Sequence, residues 1–142
     1  MATLRETIHG ILLTDAQSAV AGSLGVLLGY NAVNKPRCVY FRNPPEKPDF
    51  PLVTYFSSSQ VNILGGVEFN PRTIIFTFTA WGNNFEAVLE RIFNLLQKKK
   101  ELTPSDYSCK AILFDVSGPD MFDDDFKIYY RAENYRVVAV KI

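Results

Sequence analysis

The side chains in this sequence that could do chemistry are few, and their spacing is poor for it. His9 is the sole histidine. It falls between the apolar positions of a helical pattern, which predicts an exposed ring, and a Ser-His-Asp triad or a His-based metal site would rest on it alone. Asp120, Asp123, Asp124 and Asp125 form the densest acidic cluster. A calcium loop wants alternating acids, a central Gly and a later Glu, so this cluster reads as a solvated loop, able to hold a cation loosely or to repel nucleic-acid phosphate. Cys38 and Cys109 are too few for a disulfide framework and too far apart for a zinc pair, so two reduced thiols are expected. The segments around Gly65-Gly66 and Gly118-Pro119 lack the Lys and helix start of a phosphate cradle. These residues assign no catalytic, cofactor-binding or metal-ligating position, and the expectation is a protein that is not an enzyme and holds no cofactor.

The elements that would position any site are written more plainly. From Thr73 to Lys100 two hydrophobic periods sit back to back. Ile74, Phe76, Phe78 and Ala80 alternate with threonines, as in a strand with one buried face, and only Ile75 breaks the alternation. Phe85, Val88, Leu89, Ile92, Phe93 and Leu96 then recur at three and four residues, which is one face of a helix. Asn83 or Asn84 is its expected N-cap, with Glu86 as capping-box acid, and Lys98, Lys99 and Lys100 crowd the last turn, where cations meet the negative helix end. Upstream, residues 1–30 read as helical. Leu4, Ile8, Ile11 and Leu12 share one face, and Thr14-Asp15 is the expected cap of a second helix carrying Ala19, Val20, Leu24, Leu27 and Leu28, weakened by Gly22 and Gly25.

Between these parts, Asn43–Pro51 holds four prolines in nine residues, which no helix can cross. Strand character returns at Cys38–Phe41 and Leu52–Phe56. Gly65-Gly66 between short apolar flanks is a hairpin signal, so a hairpin tip at 57–70 is expected to project, with Pro71 at a bulge or edge. Lys110–Val116 forms another strand. Phe126–Arg131 and Tyr135–Ile142 are expected to close the chain as a hairpin around Ala132-Glu133-Asn134. Strands cluster rather than alternate with helices. The expectation is one α+β domain over residues 1–142, a mainly antiparallel sheet packed against a central amphipathic helix, with N-terminal helices.

Composition narrows the role. Fifteen basic and fifteen acidic residues cancel, so no general pull toward nucleic acid or anionic membrane is expected. Hydrophobic content of 47% over 142 residues is enough for a real core. Eleven Phe and seven Tyr demand burial, in the core or between subunits. The most apolar stretch, Ala19–Tyr30, is interrupted by Gly22, Gly25 and Gly29 and is shorter than the ~20 residues of a membrane span. The residues before it lack the cationic start of a signal peptide, so synthesis in the cytoplasm is expected.

In its whole pattern the sequence resembles the tail terminator, or tail completion, family of long-tailed bacteriophages. The resemblance rests on the helical LRETIHGILL, on EKPDFPLVTYF running from the proline loop into a strand, on TIIFTFTAWGNNFEAVLERIFNLLQ, and on the closing FKIYYRAENYRVVAVKI. It implies a virion protein of the tail neck, assembled as a ring, hexameric in that family, that caps the tail tube and joins the tail to the head. The implied partners are other copies of the chain, the tail tube protein, and head-completion or neck proteins, with DNA passing transiently through the centre and no membrane. The alternatives are a head–tail connector or neck adaptor, a tail-tube-related protein, or a non-viral interaction module. On this reading Pro44, Pro45 and Phe50 of the proline loop, and Ile63, Leu64, Val67 and Phe69 of the hairpin tip, are the oligomer or tail-interface candidates. Asp123, Asp124 and Asp125 are the channel-facing candidates. The long Gly29–Phe50 segment and the acidic 117–125 loop depart from the common pattern of that family.

Overall fold

The computed structural model describes residues 3–61, 71–97, 102 and 104–141. The alternating run becomes strand β3, Pro71–Trp81, with Ile74, Phe76, Phe78 and Ala80 buried. The run with helical spacing becomes α3, Phe85–Gln97, which buries Phe85, Val88, Leu89, Ile92 and Leu96. Around them stand α1 (Leu4–Ala16), α2 (Leu24–Leu28), β1 (Val39–Phe41), β2 (Leu52–Val61), β4 (Tyr107–Ser117), β5 (Met121–Asp123) and β6 (Ile128–Lys141). The strands make one six-stranded sheet in the order β1-β2-β3-β6-β4, with β5 also pairing β6. Only β1 and β2 run parallel. The fold is therefore the expected α+β domain, with a mixed, mostly antiparallel sheet.

Register decides which face is covered. Ile74 lies opposite Val137 and Phe76 opposite Tyr135, while Tyr55 lies opposite Phe78. These side chains share the face that receives the helices, and α1, α2 and α3 contribute Leu4, Ile8, Leu12, Leu24, Leu28, Val88 and Ile92 to the same core. The other face is held by polar cross-strand pairs. Thr77 Oγ1 donates to Asn134 Oδ1 at 2.8 Å, and Trp81 Nε1 donates to Thr54 Oγ1 at 2.9 Å. Ile75, which broke the alternation, falls on this second face and is half-buried.

Several expectations need correction. The closing hairpin does not form. β6 is continuous for fourteen residues, and Ala132, Glu133 and Asn134 pair with Thr79, Phe78 and Thr77 in its middle. A polar triplet resembles a turn in sequence, but here Asn134 has a threonine partner across the ladder and Glu133, half-buried, is in register with Phe78. Thr14 and Asp15 do not cap a helix; α1 runs through them, and the cap of α2 is Ser23, whose Oγ accepts from Val26 N. Ala19 and Val20 are exposed ahead of it, Val20 by 70%. Gly25 is required by proximity rather than by a turn: a Cβ there would lie 2.1 Å from the Ser18 carbonyl oxygen. Gly29 ends α2 in the left-handed region at φ 71°, where a Cβ is disfavoured. Asn84 stands at the N-cap position of α3, where its carbonyl oxygen accepts from Val88 N, while its side-chain amide donates to Leu27 O and Glu86 meets Arg131 rather than closing a capping box. Phe93 is 38% exposed and packs edge-on against Phe114. Pro71 sits at neither edge nor bulge but at the first residue of β3, where its missing N–H is tolerated. Residues 62–70, with the tip, and Lys98–Lys100 lie outside the described residues.

One ionic contact joins the helical layer. Asp15, at the end of α1, accepts from Leu24 N at 2.8 Å, from Arg91 Nε at 2.9 Å and from Arg91 Nη2 at 2.7 Å. Three helices thus meet at one carboxylate. The Arg91 hydrogen bond holds the Asp15 carboxyl below the usual carboxylate range, against the opposing effect of burial, with Leu24 N adding to it. A depressed carboxylate pKa stabilises the fold above the unfolded value of ~3.9 and ceases to do so as pH falls through the folded value. We therefore expect Asp15→Asn to lose ~1–3 kcal/mol at pH 7 and its difference from the wild type to shrink as pH falls below ~3.9, read from urea midpoints across that range. Tyr135 has the opposite character: it is fully buried and its Oη has no partner among the described residues. Removing an unpaired buried hydroxyl leaves no orphan behind, so Tyr135→Phe should leave the urea midpoint unchanged or raise it.

Candidate functional site

A concave feature with polar chemistry lies at the β1 edge. The Pro36–Arg37 segment feeds β1, whose parallel register on β2 sets Phe41 beside Tyr55, and α1 crosses above with Arg5 and His9 one turn apart. Arg5, Glu6, His9, Gly10, Arg37, Phe41 and Tyr55 enclose a cleft of about 290 Å³. His9 is half-buried rather than exposed, because its Nδ1 shares a 2.8 Å hydrogen bond with the buried Tyr55 hydroxyl. Helical periodicity could not find this bond, since its partner is 46 residues away.

Aromatic rings hold the surrounding arginines. The Arg5 guanidinium lies 4.5 Å from the Phe41 ring centre and that of Arg42 lies 5.1 Å from the same ring. Arg37 lies 4.7 Å over Tyr40. All three arginines are exposed, and none has a carboxylate partner within ion-pair distance among the described residues. Stacking fixes their geometry while leaving their charge unneutralised. Burial lowers the His9 pKa below its ordinary 6.5, and Arg37 and then Arg5 push it the same way. His9 is therefore a neutral ring in a cationic cleft.

The opposite edge is built differently. β4 ends the sheet, and β5 occupies the same side of β6 further along. Leu113, Phe114 and Val116 of β4 and Met121, Phe122 and Tyr129 beside them are all exposed. At the end of this edge stand the aspartates, Asp120 just before β5, Asp123 at its end, and Asp124 and Asp125 in the turn to β6. Asp120 accepts from Arg131 Nε at 2.7 Å. Asp123 Oδ1 accepts from the backbone N–H groups of Asp125 and Phe126, closing the turn on itself. Asp124 and Asp125 remain exposed and without an ion-pair partner among the described residues.

The proline loop lies between these edges. Pro44, Pro45 and Phe50 are half-buried. Phe50 packs against Trp81 and edge-on against Phe126, at ring distances of 6.3 and 5.5 Å, so the loop and the acidic turn meet at one end of the sheet. Lys35, 8% exposed, anchors the loop by donating to Pro51 O at 2.7 Å. Ile63, Leu64, Val67 and Phe69 lie outside the described residues. Cys38 and Cys109 are free thiols. Sequence reasoning thus located the loop and the acidic turn but missed the arginine–aromatic cleft, whose members come from three separate elements. The only sequence signal was the alternation of basic and aromatic residues in Arg37–Arg42.

No protein-family model matches the sequence, and no curated protein matches it. Among solved structures, the chain is similar to one described as "Virion of native gene transfer agent (GTA) particle", with a TM-score of 0.71. The similarity covers 99% of this chain and 96% of that one, at 14% identity. The fold is shared over nearly the whole of both chains.

The cleft makes a direct prediction. The unfolded chain takes up the His9 proton near pH 6.5 and the folded chain only at lower pH, so stability from the neutral ring is complete above that value and falls as pH drops below it. In a proton NMR titration the single imidazole should have its midpoint below 6.5, and Arg37→Gln should move it upward.

Proposed function

We propose that this chain is a structural protein of a phage-like virion, and within such a particle the tail terminator. Copies form a closed ring, expected to be a hexamer, that caps the tail tube, stops its growth and joins the tail to the filled head, with DNA passing through the centre. The observation that carries the reading is the end-to-end likeness in fold to a chain of a gene transfer agent virion. The surfaces support it physically. A ring needs two different patches on each subunit, so that one meets the other around a closed circle. Here the two sheet edges differ in kind, one short and cationic at β1, the other long and apolar at β4 and β5. An edge strand with exposed apolar residues invites a partner. The tail tube and neck proteins are the further partners, with the proline loop and residues 57–70 as the candidate contacts.

Particles made without this protein should carry tails of uncontrolled length that do not join heads, seen by negative-stain electron microscopy. Tails of normal length with unattached heads would instead assign the chain to a neck adaptor. Replacing residues 62–69 with a short Gly-Ser turn should block assembly of tails while the isolated chain keeps its circular dichroism; normal tails would remove the tip from the interface.

A further inference from the structure

The chain is neutral overall, yet three arginines without an ion pair among the described residues gather at one edge. Arg5, Arg37 and Arg42 stand about the β1 edge, held over Phe41 and Tyr40, with Glu6 lining the cleft and Asp49 close enough to act on Tyr40. The acidic turn also carries Lys127. Asp124 and Asp125 project from the turn at the far edge, while Asp120 and Asp123 are engaged within the subunit. Four strand spacings separate β1 from β5, on the order of 19 Å, and although the turn bends back to set Phe126 on Phe50, no ion pair joins its aspartates to these arginines within one copy among the described residues. Other arginines of the molecule show the contrast: Arg91, Arg131 and Arg136 each meet a carboxylate of the same chain.

We propose that the acidic turn of one copy enters the arginine–aromatic cleft of the next, making the Asp124/Asp125 to Arg37/Arg42 contact the polar part of a head-to-tail interface. This rests on the ring reading above and names its joint. Guanidinium groups pre-set by stacking lose little freedom on accepting a carboxylate, and their planar donors match its two oxygens. The neighbouring apolar residues Phe122 and Tyr129 of the turn's edge supply area that water leaves on docking. Opposed charges also fix direction, since two cationic edges or two acidic edges repel.

Charge reversal tests the joint on the full chain. Arg37→Glu and Asp125→Arg, made separately, should each shift the assembly to monomer in light scattering and native mass spectrometry, with circular dichroism unchanged. Mixing the two variants should restore rings. In an even-numbered ring alternating copies are complementary at every contact, acid turn to arginine cleft and arginine turn to acid cleft. Arg37→Glu/Asp125→Arg in one chain should also assemble. Wild-type rings accompanied by variants that assemble equally well overturn the joint and leave the ring reading standing. A wild-type chain that stays monomeric on purified tail tubes overturns both. Variants that assemble normally but release DNA through the particle differently assign the charges to phosphate in the channel and overturn the joint.

Discussion

Everything in this molecule depends on covering one face of one sheet. β3 is paired along both sides, to β2 and to β6, so Ile74, Phe76, Phe78 and Ala80 stand in a row that can be hidden only from above. Phe76 and Phe78 stack at 6.2 Å, and Tyr135 meets Phe78 edge-on at 5.4 Å. Burying each such ring contributes ~1.5–3 kcal/mol, and no single helix is wide enough to bury them all. α3 covers the middle, α1 the β1–β2 side, and α2 fills the gap between them. Asp15 then fixes the three helices relative to one another, because one carboxylate accepts from two of them while belonging to the third.

That demand leaves the edges to carry function. The helical layer does not reach the far side of β4 and β5, so their apolar residues stay exposed. At the other edge α1 overhangs β1 and creates the cleft, where His9 bonds Tyr55 from above and the arginines lie on the aromatic rings of the strand. Both surfaces are by-products of how far three short helices extend over six strands. A sheet face sealed by helices is rigid, and its edges are therefore presented in a fixed relation to one another. Rigid presentation of two unlike edges is what a closed circle of identical copies needs.

How much of this could be read beforehand varies with the range of the interaction. The strand-then-helix unit was legible because its periods are local, and the buried positions of β3 and α3 match the expected ones apart from Phe93. The closing strand was misread because Ala132-Glu133-Asn134 has the composition of a turn. Only its partners, Thr77 through Thr79 on β3, show that it belongs in a ladder. The second helix was placed too early for a similar reason. Asp15 has the type of an N-cap, but its carboxylate is used across space by Arg91, 76 residues on.

By itself the sequence determined the α+β class, the central β3–α3 unit, the proline loop and the acidic turn, since each is written in contiguous residues whose spacing or backbone chemistry has one reading. Only the tertiary structure decided the strand order, the continuity of β6, and the meeting of Arg5, His9, Arg37 and Tyr55 in one cleft. Those features depend on contacts between residues far apart in the chain. No local period encodes which of several apolar strands will become neighbours, nor which edge the helices will leave uncovered.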